Sequence, residues 1–122
     1  MESMKPQISI EYVDDATIVS FMDEDILDGR DVQAVEDAVM SVIGQKDGIK
    51  LILDFGNVEF LSSAVLGFLI RASKKVYEGG GQLAFCSINP RIYEIFKITR
   101  LTKVFDIFED KQAALAGLSG RC

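Results

Sequence analysis

The segment Ile49 to Phe55, Ile-Lys-Leu-Ile-Leu-Asp-Phe, is nearly continuous in apolar character. A strand of that kind has almost no solvent face, so it belongs inside a sheet that helices cover on at least one side. The segments before it supply more of the sheet. Gln7 to Val13 alternates, with Ile8, Ile10 and Tyr12 on one face and Ser9 and Glu11 on the other, which predicts a half-buried strand. Asp14-Asp15 reads as a hairpin turn. Ala16 to Met22 resumes with Ile18, Val19 and Phe21, too β-branched and too short for a helix, so the two runs predict an antiparallel hairpin.

Helical spacing fills the remainder. After Asp31, a candidate N-cap, Val32, Val35, Val39, Val42 and Ile43 share one face, and Gly44 or Gly48 closes the helix. A second helix is predicted from about Ser63 to Glu78, with Val65, Leu66, Leu69, Ile70, Ser73, Val76 and Tyr77 inward, and Gly79-Gly80-Gly81 stops it. Gln82 to Ser87 predicts a strand, and Asn89-Pro90 opens a helix with Ile92, Ile95 and Phe96 inward. Val104 to Phe108 predicts the last strand and Asp110 to Leu118 the last helix. Two strands and then alternating helix and strand give an α/β sandwich with a mixed sheet whose interior is mainly parallel. A length of 122 residues suits one domain, 1–122, with a single core that needs neither disulfides nor metal.

Charge and composition narrow the function. Nineteen acidic against thirteen basic residues give a net charge of -6, which repels phosphate backbones and anionic lipid, so no nucleic-acid partner is expected. The sequence contains no histidine, which removes the commonest general base and transition-metal ligand. No catalytic residue, metal or cofactor is therefore expected. No window approaches the roughly 18 unbroken apolar positions of a membrane span, and Met1 to Pro6 does not have the pattern of a secretory signal. Of the two cysteines, Cys86 falls in an apolar strand and Cys122 at the end, which points to a reducing, cytoplasmic setting.

The most distinctive stretch is Leu53 to Gly67, where an apolar strand ends in Asp54, a turn follows, and Ser62-Ser63 stand immediately before an amphipathic helix. A helix N-terminus leaves amide N–H groups unpaired and carries partial positive charge, so a serine there can take a phosphoryl group that the helix end stabilises. The added charge is about -1.5 to -2. The plainer alternative is that Ser62 and Ser63 only cap the helix.

Over essentially its whole length the chain resembles a STAS domain of the anti-sigma-factor-antagonist type. The resemblance rests on Glu24-Asp25-Ile26-Leu27-Asp28, on Leu51-Ile52-Leu53-Asp54 with Val58 and Phe60-Leu61-Ser62-Ser63-Ala64, and on Leu66-Gly67. It continues through Gly80-Gly81-Gln82-Leu83, Asn89-Pro90, Ile95-Phe96, Leu101 and Val104-Phe105. It implies a STAS-type sandwich of about five strands and about four helices. In the family's Ser-Ser-Ala-Gly motif the second position is the regulatory phosphoserine, which falls on Ser63. Ser62 then takes a position often held by Asp, and Val65 stands where glycine is common, beside the expected contact surface. The implied mechanism is partner switching. The unphosphorylated domain binds an anti-sigma factor serine kinase through Asp28, Ser62, Ser63, Ala64 and Val65; the kinase phosphorylates Ser63 and releases it, and a phosphatase resets it. For Asp28 a solvated acid preceding the helix is the alternative.

Two other functions stay open on the sequence. One is a passive STAS subunit docked to a transporter or larger signalling assembly, without phosphorylation. The other is a receiver-like phosphoacceptor in which Asp14, Asp15 and Asp54 hold magnesium and Asp54 takes the phosphate; Ala16 to Met22, read as a strand, opposes it. Among weaker candidates, Asp23, Glu24, Asp25 and Asp28 lack the spacing and glycine of a calcium loop and read as a solvated acidic loop. Cys86 reads as a core hydrophobe, the triple glycine as a helix stop, and Arg30, Arg71, Lys74 and Lys75 as solvated.

Overall fold

A computed structural model describes residues 8–22, 25–26 and 29–119. Its strands are β1 (Ile8–Val13), β2 (Ala16–Phe21), β3 (Asp25–Ile26), β4 (Lys50–Asp54), β5 (Phe60–Leu61), β6 (Gln82–Cys86) and β7 (Asp106–Phe108). Its helices are α1 (Gly29–Gly44), α2 (Ser63–Glu78), α3 (Pro90–Ile98) and α4 (Lys111–Ser119), with a 3-10 turn at Leu101–Lys103. Five strands form the main sheet in the order β1-β2-β4-β6-β7, and β3 pairs with β5 in a separate two-stranded parallel sheet. Only β1 runs antiparallel; it folds back on β2 through Asp14-Asp15, with Val13 opposite Ala16. The expected mixed, mainly parallel sheet of five strands with four helices is therefore present.

The topology explains where the helices lie. From β2 through α1 to β4, through α2 to β6 and through α3 to β7, each crossover steps one strand in the same direction. Right-handed crossovers that all step one way put their helices on one face. Alternate residues of the strands confirm two separate cores. Val19, Phe21, Leu51, Leu53, Leu83 and Phe85 pack with Val35, Val39, Phe68, Leu69, Ile92 and Phe96 from α1, α2 and α3. Ala16, Ile18, Ile52, Ala84 and Cys86 point the other way and meet Ala114 and Leu118 of α4. β4 is thus buried on both faces, as its unbroken apolar sequence requires.

Several boundaries differ from the sequence expectation. α1 spans Gly29–Gly44, so the expected N-cap position Asp31 lies within the helix and not before it. The inward stripe of α2 is Val65, Phe68, Leu69, Ala72, Ser73 and Val76, whereas Ile70 and Tyr77 are exposed, lying too far round the helix to face the sheet. The last strand starts at Asp106, because Phe105 turns inward to stack on Phe85 with ring centroids 4.4 Å apart, and Val104 is left on the surface. α4 starts after Asp110, whose Oδ1 accepts a hydrogen bond from the amide of Ala113 at 2.8 Å. In β1, Ile8 packs on the core, but Ile10 and Tyr12 of the same face are exposed.

Candidate functional site

The connection from β4 to α2 is fastened at both ends before it delivers the two serines. Asp54 closes β4 and folds its Oδ1 back to accept from the Gly56 amide at 2.8 Å, while the amide of Phe55 bonds the Cys86 carbonyl at 3.0 Å. Asn57 Nδ2 donates to the carbonyl of Phe21 at 3.3 Å, tying the loop to the end of β2. Asn89 is bifunctional. Its Oδ1 accepts from the Ile92 amide at 2.9 Å, capping α3, and its Nδ2 donates to the Val58 carbonyl at 3.1 Å. Phe55 and Val58 are buried, so side chains and backbone both hold this segment against the sheet.

From that anchored loop β5 runs beside β3 and the chain enters α2 at Ser63. Ser62 has the extended backbone of an N-cap, φ -95° and ψ 169°, and its carbonyl accepts from the amides of Val65 at 3.0 Å and Leu66 at 3.4 Å. Its hydroxyl does not cap: Ser62 Oγ is buried and has no hydrogen-bond partner. Ser63 and Ala64 are exposed. No acidic residue lies in the first turn of α2, so an anion on Ser63 would meet the positive end of a 16-residue helix without a carboxylate in that turn.

The resemblance placed Val65 beside the contact surface, whereas the helical spacing turned it inward. The structure follows the spacing and corrects the contact: Val65 is 0% exposed and belongs to the core, so its side chain is unavailable to a docking protein. Its bulk replaces no surface; it fills the space between α2 and the sheet. Asp28, the remaining candidate contact, lies outside the described residues, as do Asp23, Glu24 and Cys122. Asn57 and the turn at Gly56 hold this loop in place, and the sequence did not single them out. Asn89-Pro90 did mark the start of a helix, but its reach to Val58 depends on the fold.

The receiver arrangement is not assembled. Asp15 takes a 2.8 Å hydrogen bond from Lys50 Nζ at the beginning of β4, and that ammonium holds its carboxyl below the ordinary aspartate range. Asp54 stands at the other end of β4, roughly 13 Å away at the usual rise of a strand. Asp14 and Asp15 therefore sit at the opposite end of the sheet from Asp54. Among the described residues, no group of three acidic, cysteine or histidine side chains is placed to hold a metal ion.

Cys86 lies fully buried on the α4 face, and burial, helped by the negative charge of Asp54, pushes its thiol up to about 11. Arg71 is more than a solvated cation, since it forms a two-pronged pair with Glu36; Lys74 and Lys75 are exposed, and the side chain of Arg30 lies outside the described residues. An open cleft of about 620 Å³ is lined by Gly56, Val58, Glu59, Asn89, Arg91 and Glu94 among others; neither serine lines it. Among the described residues no helix is long and apolar enough to cross a membrane.

Comparison with known proteins agrees with this fold. The family model of the STAS domain matches residues 7–114. An anti-sigma F factor antagonist of Paenibacillus polymyxa is 26% identical over 115 residues, covering 94% of this chain and 97% of that protein. An anti-sigma-B factor antagonist of Listeria monocytogenes is 28% identical over 68 residues, 56% of this chain and 60% of its own. Like that Listeria protein, other curated relatives are matched over less than two thirds of their own length, 58% and 64% in two cases. Among solved structures, an anti-sigma-factor antagonist (STAS) domain protein from Planctomyces limnophilus superposes with a TM-score of 0.83 at 23% identity, covering 93% of this chain and 98% of that one.

Proposed function

Because this chain belongs to the STAS domain family, we propose that it is an anti-sigma factor antagonist that works as a phosphorylation-controlled partner switch, with Ser63 as the modified residue. The observation that carries this reading is the exposure of Ser63 at the first position of α2, on a segment fastened from two sides. The names of the Paenibacillus and Listeria relatives support the antagonist role. In the unmodified state the exposed first turn, with Ser63 and Ala64 at its tip, docks on an anti-sigma factor serine kinase. A neutral hydroxyl can be buried there at modest cost provided it finds a hydrogen-bond partner.

Phosphorylation changes the charge of that spot by about -1.5 to -2. Within the free chain the new anion is tolerated, because it sits at the positive end of α2 and in contact with water. Within the complex it would be stripped of water against a surface built for a neutral group, and an uncompensated buried charge costs several kcal/mol. The switch therefore releases the partner while leaving the fold intact, and a phosphatase restores the docking state. The chain acts as a regulator in this scheme and supplies no catalytic group of its own.

The test is phosphate mapping by mass spectrometry after incubating the chain with ATP and an extract of its own cells. Phosphate on Ser63, lost in Ser63→Ala, is the expected result. A chain that stays unmodified supports the passive docked subunit instead, and an acid-labile acyl phosphate on Asp54 supports the receiver.

A further inference from the structure

β1 is the outermost strand of the main sheet, and among the described residues nothing pairs with its outer side. Edge strands are ordinarily shielded by charge, proline, bulges or shortness. The opposite edge fits that rule: β7 has three residues and is followed by Glu109-Asp110. β1 does not. It has six residues, and its one charged side chain, Glu11, is drawn to the α4 face, where Oε1 accepts from Lys111 Nζ at 3.3 Å. On the other face Ile10 is 41% and Tyr12 68% exposed.

We propose that β1 pairs antiparallel with β1 of a second copy of this chain, about a two-fold axis at Ile10, to make one continuous sheet. The register follows from the ladder. In a two-residue hairpin the closing pair, here Val13 and Ala16, exchanges both hydrogen bonds, and alternate pairs repeat this. Tyr12, Ile10 and Ile8 therefore direct their N–H and C=O groups outward. Centring the axis on Ile10 sets Ile10 against Ile10 and Ile8 against Tyr12, so every outward-directed residue is used and about six backbone hydrogen bonds form. It joins the two exposed apolar stripes on one face and sets Ser9 against Glu11 on the other. Centring on Glu11 instead would oppose two glutamates and leave Ile8 unpaired. Charge and backbone pairing thus choose the same register, and a second copy fits it without help from another protein.

Sedimentation equilibrium of the full chain, from low micromolar to several hundred micromolar, tests this. A reversible monomer–dimer equilibrium is expected. Ile10→Lys, which opposes two ammonium groups at the axis, weakens it at least tenfold. Ser9→Lys, which faces Glu11 of the second copy, tightens it about fivefold, as expected for two opposite-charge cross-strand pairs. Ile10→Cys in a Cys122→Ser background forms an intermolecular disulfide on mild oxidation, since Cα atoms of a hydrogen-bonded pair lie about 5.5 Å apart. A chain that remains monomeric throughout overturns the proposal, and so does a dimer whose affinity neither lysine changes. Ser9 and Ile10 are surface positions, and the gain in Ser9→Lys cannot come from misfolding.

Discussion

Ser62 and Ser63 are neighbours in the chain with opposite surroundings: Ser63 is exposed, whereas the hydroxyl of Ser62 is buried without a hydrogen-bond partner. The Ser62 carbonyl accepts the first bonds of α2, as an N-cap carbonyl does in any helix, but the Ser62 side chain supplies no cap. Removing a true N-cap side chain costs about 1 kcal/mol, but removing an unpaired buried hydroxyl relieves a desolvation cost. Ser62→Ala is expected to leave stability unchanged or raise it by up to about 1 kcal/mol, measured by urea unfolding. A loss of 1 kcal/mol or more would mean that the hydroxyl bonds in solution.

Arg71 of α2 reaches Glu36 of α1 through Nε to Oε2 and Nη2 to Oε1, both at 2.8 Å. The hydrogen bonds from Arg71 hold the Glu36 carboxyl below the ordinary glutamate range. A carboxyl depressed in the folded state stabilises the fold above its unfolded pKa, and that contribution disappears as pH falls through the folded value. Glu36→Gln should therefore melt a little below the wild type at pH 7, and the gap should narrow as the pH falls below the ordinary glutamate pKa of about 4.3. A gap that is independent of pH would assign the effect to packing.

At Gly81 a side chain has no room. A Cβ there would lie 2.3 Å from the carbonyl oxygen of Ile49, which already accepts the Gln82 amide at 2.8 Å. Backbone must move to admit it. Gly81→Ala is expected to cost about 3 kcal/mol and to lower Tm by roughly 10 °C. A change within a degree or two would show that β4 and β6 tolerate a shift.

Cys86 should be chemically silent in the native protein. Its thiol is fully buried and pushed up to about 11, so the reactive thiolate is scarce at pH 8. In a Cys122→Ser background, labelling by a thiol reagent at pH 8 is expected only at the rate of unfolding. Full labelling of folded protein within minutes would place Cys86 on the surface.

Most of this architecture was legible because its signals are local and periodic. The bounds of α2, Ser63–Glu78, coincide with the expected helix, since an apolar stripe begins at the serines and three glycines end it. What escaped the sequence depends on distant partners. The β3–β5 pair is two residues long on each side, too short for any period. For Val65 the two sequence signals disagreed: the resemblance set it beside the contact surface, two residues from Ser63, whereas the helical spacing turned it inward, and at 100° per residue it enters the core. Ile10 and Tyr12 alternate as buried residues do, yet edge position leaves them in water. The fastening of the 55–58 loop by Asn57 and Asn89 spans 36 and 31 residues and leaves no pattern in the chain.

The central claim is that an anion on Ser63 turns docking off. Titration calorimetry of the anti-sigma kinase against the chain, unmodified and phosphorylated on Ser63, measures it directly. The phosphorylated chain is expected to bind at least about 100-fold more weakly, as an uncompensated buried charge requires, while Ser63→Ala binds like the unmodified protein. Equal affinity for the phosphorylated and unmodified chains, both folded, would contradict it.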